Sequence, residues 1–70
     1  MKEQIIEAIE KELERKGMTQ AELGELVGMK RHSVNAALRG TERTVSIQRL
    51  VNMAEAIGLD VELKIKRISR

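Results

Sequence analysis

The sequence predicts a mainly α fold, a compact bundle of four helices followed by a single β-strand near the C-terminal end. Three observations predict it. Apolar residues recur at helical spacing in four separate stretches, ended in turn by Gly17, Gly28, Gly40 and Gly58. Two of those stretches open on a residue suited to cap a helix, Thr19 and Ser46. After Gly58 the period falls to two, with Val61, Leu63 and Ile65 alternating with Glu62, Lys64 and Lys66. A chain of 70 residues is expected to form one domain, residues 1–70, with residues 59–68 as the strand.

Lys2 to Lys16 reads as an amphipathic helix. Ile5, Ile6, Ile9 and Leu13 form a stripe that needs a core to pack on, while Glu3, Glu7, Glu10, Glu12 and Glu14 are expected on the wet face. Glu7 with Lys11 and Glu12 with Lys16 have the favourable i, i+4 order. Thr19 followed by Glu22 is a capping box, with Met18 and Leu23 placed as its hydrophobic staple, so a helix starts at Gln20. Leu23, Leu26 and Val27 are expected to face inward, and Gly28 to end the helix in the left-handed conformation. The next helix follows almost at once, from about Arg31 to Arg39, with Val34, Ala37 and Leu38 inward, Met29 and Val34 as a staple, and Gly40 closing it. Two helices with so short a connection form a helix-turn-helix unit. A polar connection, Thr41 to Thr44, leads to a helix capped by Ser46, with Val45 and Leu50 as staple and Ile47, Leu50, Val51, Ala54 and Ile57 as its apolar face.

The stretch from Thr19 to Gly40, TQAELGELVGMKRHSVNAALRG, resembles the DNA-binding unit of the Cro and phage-repressor-like (Xre-type) helix-turn-helix family. The matching residues are Gln20 opening the first helix, Gly28 in the turn, Val34 and Ala37 inward on the second, and Gly40 after it. MAEAIGLDV, Met53 to Val61, resembles the last core helix of that family and its exit. The resemblance covers roughly Met18 to Val61 and implies a lambda-repressor-like helix-turn-helix bundle. Two positions depart from the family pattern. A small alanine is usual where this chain has Gly24, and a Ser or Thr cap is usual where it has Lys30. Glycine still permits close helix approach, and Lys30 is either a phosphate contact or solvated.

The composition narrows the partners. Net charge is only +2, yet residues 29–43 carry +3 while residues 1–28 carry −3. A basic segment on an otherwise balanced chain is the footprint expected of a nucleic-acid reader. The absence of Phe, Trp and Tyr removes the stacking platforms that single strands and RNA loops require, whereas duplex DNA is read by hydrogen bonds and phosphate contacts. With no Cys and one His there is no disulfide and no thiolate metal site, so no metal or cofactor is expected. The glutamates of the first helix lack a positioned partner, and no enzyme is expected. No apolar run approaches the ~20 residues of a membrane span, and the expected location is cytoplasmic.

Carried over position by position, the resemblance places Arg31, His32 and Ala36 where base edges are read. Arg31 has the fork for guanine, Asn35 suits adenine if it reaches a base, and Ala36 is limited to a thymine methyl. Gln20 falls on a position that touches phosphate or an outer base. Lys30, Ser33, Arg39, Arg43 and Thr44 complete the expected backbone contacts, each with a solvated surface residue as the plain alternative. A lone strand cannot satisfy its own backbone groups, so Val61, Glu62, Leu63, Lys64, Ile65 and Lys66 are expected to pair with the same strand of a second copy. In a pair centred near Lys64, Glu62 of one copy faces Lys66 of the other. The expected function is sequence-specific binding of double-stranded DNA by a homodimeric repressor on an inverted-repeat operator. The alternative is an antitoxin or other protein-interaction module that binds a partner protein such as a toxin and regulates its own operon.

Overall fold

A computed structural model of the chain describes residues 2–39 and 46–62. Four helices follow one another: α1 Lys2–Lys16, α2 Gln20–Val27, α3 Arg31–Arg39 and α4 Ile47–Ala56. Helix α1 lies against α4, and α2 packs on both α3 and α4. Among the described residues there is no strand, and no helix is long and apolar enough to cross a membrane.

One core joins all four helices. Ile5, Ile9 and Leu13 enter it from α1, Leu23 from α2, Val34, Ala37 and Leu38 from α3, and Leu50, Val51, Met53 and Ala54 from α4. Ile57, one residue beyond α4, is buried with them. Helices of eight to ten residues are marginal alone in water. Burying a Leu, Ile or Val side chain contributes about 1.5–3 kcal/mol, so the shared core is what keeps α2, α3 and α4 helical.

The caps form as the sequence predicts. Thr19 Oγ1 accepts from Glu22 N at 3.1 Å and Glu22 Oε1 accepts from Thr19 N at 2.9 Å, a complete capping box. Ser46 Oγ accepts from Arg49 N at 3.1 Å and starts α4. Met18 and Met29 are half-buried and pack against the core cluster that holds Leu23 and Val34. Past α4, the N–H of Leu59 donates to Ala54 O at 3.0 Å and turns the chain back, so that Leu59 and Val61 pack on the core.

Two expectations are corrected. Leu26, placed inward by its spacing, is 57% exposed. The inner face of α2 is Leu23, Gly24 and Val27, and at about 100° per residue Leu26 points roughly 100° away from its centre. Gly24 takes the inner place because the turn comes down on it. Glu12, placed on the wet face, has a side chain only 15% exposed; its expected pair with Lys16 forms, and Arg15 is a second and closer partner. Arg15 Nε and Nη2 donate to the two carboxylate oxygens at 2.9 and 2.5 Å, while Lys16 Nζ stands 3.9 Å away. A planar guanidinium matches a carboxylate with two bonds, which a lysine cannot do. The expected Glu7 and Lys11 pair forms at 3.1 Å.

Gly40, Thr41 to Val45 and Leu63 to Lys66 fall outside the described residues, and with them the backbone contacts expected of Arg43 and Thr44 and most of the expected strand. Of that strand, expected over residues 59–68, Leu59, Asp60, Val61 and Glu62 are described, and none of them is in a strand.

Candidate nucleic-acid interface

The interface is built on α2, the turn and α3. Glu22 holds the first turn of α2 in place, and the Thr19 backbone N–H, followed by the Thr19 side chain, holds its carboxyl below the ordinary glutamate value. Gln20, the first residue of that helix, is thereby fixed in position. At the other end Gly28 is left-handed, with φ 72°, a conformation that a residue with a Cβ rarely adopts. Its N–H and that of Met29 both donate to Gly24 O, the second at 2.8 Å. The Met29 carbonyl then lies so close over Gly24 that a Cβ there would collide with it. The missing side chain at position 24 is therefore what lets the turn close down on α2.

Helix α3 opens two residues after that turn, with the Lys30 carbonyl accepting from Ser33 N at 2.9 Å and Val34 N at 3.1 Å. Lys30 supplies no side-chain cap, in keeping with its chemistry, and its ammonium group lies on the surface. Burial of Val34, Ala37 and Leu38 turns the rest of the helix outward. Arg31, His32 and Arg39 are exposed, whereas Ser33, Asn35 and Ala36 are half-buried at the margins. Arg31, His32 and Asn35 line an open cleft of about 470 Å³ on the surface of α3. Asn35 Nδ2 donates to Gln20 Oε1 at 3.0 Å, tying the middle of α3 to the start of α2. The fold thus brings Gln20, Lys30, Arg31, His32, Ser33, Asn35, Ala36 and Arg39 onto one helix pair.

A second groove, of about 370 Å³, lies between the turn and the first half of α4. Val27, Gly28 and Met29 form one wall and Ser46, Gln48, Arg49 and Asn52 much of the other. Gln48 Nε2 donates to Asn52 Oδ1 at 3.0 Å, and Arg49 is exposed beside them. Sequence reasoning passed over these α4 residues. Their signal was present in the polar positions that interrupt the apolar stripe after the Ser46 cap.

Two short helices joined through a left-handed glycine, the second presenting its cationic face outward, define a helix-turn-helix protein. The chain belongs to a helix-turn-helix domain family: the family model of that description matches residues 1–66. No curated protein and no solved structure matches the chain. Membership supports DNA as the partner, since the second helix of such a unit is the element that enters the major groove.

Proposed function

We propose that the protein is a sequence-specific double-stranded DNA-binding regulator of the Cro and phage-repressor-like (Xre) type, acting as a homodimeric repressor. The observation that carries this reading is the outer face of α3. Arg31 and His32 stand exposed around an open cleft at the N-terminal end of the helix, which is the end that reaches base edges. Arg31 supplies the bidentate fork for guanine, and His32 a second polar reader. Ser33 and Ala36 flank them. Lys30 and Arg39, with Gln20 from α2, are the phosphate contacts, joined by Arg43 and Thr44 from the following segment.

A homodimer places two such helices in successive major grooves, with half-sites about 10 base pairs, or ~34 Å, apart. The alternation of Val61, Leu63 and Ile65 supports pairing of the 61–66 segments as the dimer contact. Repression then follows from occupation of a promoter. Selection from a randomised duplex pool is expected to return an inverted repeat, and sedimentation at micromolar concentration a dimer. On the selected site, Arg31→Ala should cost about 1–3 kcal/mol confined to one base position per half-site. Equal affinity of the wild-type chain for selected and random duplexes would defeat the reading.

One observation favours a second reading, an antitoxin-type protein that also holds a partner protein. Leu26 is a large apolar side chain left open on α2. Co-purification of one unrelated small protein, lost in Leu26→Asp, supports that reading, and a clean homodimer counts against it.

A further inference from the structure

Recognition of adenine by an asparagine takes both ends of the amide, Oδ1 accepting from N6 and Nδ2 donating to N7. In this protein Nδ2 of Asn35 already donates to Gln20 Oε1 at 3.0 Å, across 15 residues of sequence and in a half-buried setting. That bond takes one of the two N–H groups of Nδ2 and fixes the plane of the Asn35 amide against α2, so Oδ1 and the second N–H meet an adenine only where its edge lies in that plane. A base placed elsewhere is reached only by breaking the bond, which takes this donor from the Gln20 carbonyl in a half-buried setting.

The same bond does something useful for Gln20. A glutamine amide has an acceptor end and a donor end, and its terminal torsion is broad and nearly two-fold, so a free side chain offers either end. A phosphate oxygen only accepts. With Oε1 committed to Asn35, the NH₂ is the end that Gln20 keeps for another molecule.

We infer that Asn35 is a positioning residue rather than a base reader: it fixes the Gln20 amide with its NH₂ free to donate to a backbone phosphate oxygen of duplex DNA. The inference rests on the DNA-binding reading above and sharpens it. Sequence is then read by Arg31 and His32, while the Gln20 and Asn35 pair sets register on the backbone and carries no base information.

A double-mutant cycle on the full chain tests this, with Gln20→Ala, Asn35→Ala and the double variant. The probes are a mixed-sequence duplex of about three helical turns, a site selected from a randomised pool, and the single-base variants of that site. Asn35→Ala is expected to weaken every duplex alike, by about three- to tenfold, with discrimination among the single-base variants unchanged. Gln20→Ala should match it, and the double variant should be no weaker than Gln20→Ala alone. A merely structural bridge would lower the melting midpoint without this equal loss on every sequence. Asn35→Ser, with its shorter reach, is the second variant and is read the same way if Asn35→Ala melts near the assay temperature. Loss of discrimination at a single base pair in Asn35→Ala, or additive losses in the cycle, overturns the inference alone. A wild-type chain with no affinity for duplex DNA overturns the functional reading and the inference with it.

Discussion

Helices α1 and α3 carry the same kinds of cation and treat them in opposite ways. On α1, Lys11 is held by Glu7, and Arg15 and Lys16 both turn to Glu12. Their charges are spent within one helix. On α3 and the residue before it, Lys30, Arg31 and Arg39 pair with no described carboxylate, and the helix contains no acid of its own. The difference teaches that net charge is a poor guide to partners. What matters is which cations have no ion partner among the described residues, and Lys30, Arg31 and Arg39 are among those. Helix α3 exists as a rigid element only because its other face is buried in a core that α1 and α4 help to build.

The comparison breaks most completely where both halves share support. Leu50 is fully buried on α4, the helix that touches both α1 and α2. Leu50→Ala should cost about 3–5 kcal/mol. Total stability for a domain of this size is on the order of 4–10 kcal/mol. Circular dichroism should therefore show most of the cooperative melting transition gone, and DNA binding should go with it. A sharp transition near the wild-type midpoint would mean that the two halves do not depend on this contact.

A matched pair of arginine substitutions sharpens the contrast directly. Arg31→Ala should lose about 1–3 kcal/mol of affinity for the selected site. Its melting should stay within about 0.5 kcal/mol of wild type, as befits an exposed side chain without an ion pair. Arg15→Ala should do the reverse, lowering the melting midpoint slightly and leaving the affinity unchanged. Equal loss of affinity in both variants would show that the charge on α1 is as available to DNA as that on α3.

Gly24→Ala acts on the joint between α2 and α3. Alanine is the better helix former by about 1 kcal/mol, but its Cβ would meet the Met29 backbone carbonyl, which has no flexible end to move aside. Overpacking of that kind costs about 1–3 kcal/mol, so a net loss of up to about 2 kcal/mol is expected. At roughly 4–8 °C per kcal/mol for a small domain, calorimetry would see it readily. A stabilised variant would mean that the turn opens at little cost.

How legible each part was in the sequence follows from what periodicity counts. The bounds of α1, α2 and α3, the Thr19 and Ser46 caps and the inward face of α3 rest on side chains within one helix turn of one another, and all are as the sequence implied. Leu26 was misplaced because Gly24 has no side chain to enter such a count, although it occupies the inner face. Glu12 pairs with Lys16 as its i, i+4 order implies, but that order says nothing of the closer bidentate fit that Arg15 offers at i+3. The Gln20 and Asn35 bond depends on how α2 and α3 pack, and no local pattern announces it. The alternation from Val61 to Lys66 is a strand pattern in the sequence, but Val61 itself packs on the core outside any strand, and Leu63 to Lys66 lie outside the described residues.

The smallest expected effect separates the two regions by pH and salt. Arg15 holds the Glu12 carboxyl below its ordinary value of 4.5, chiefly by hydrogen bonding, and Thr19 does the same for Glu22 through its backbone N–H. A carboxyl with a lowered folded value contributes stability that is fully present above its unfolded value and is lost as pH falls through the folded one. The melting midpoint should therefore decline between about pH 5 and pH 3. Glu22→Gln keeps an acceptor for Thr19 but has no charge to lose, so it should flatten part of that decline. Glu12→Gln should flatten another part. Salt then tells them apart: the exposed Arg15 guanidinium is screened, so the Glu12 share should shrink at high ionic strength. The Glu22 share, which rests on a backbone hydrogen bond, should persist. If both shares shrink together, the capping carboxylate of the helix-turn-helix half is held by long-range charge, and the electrostatic division between the two halves is weaker than their ion pairs imply.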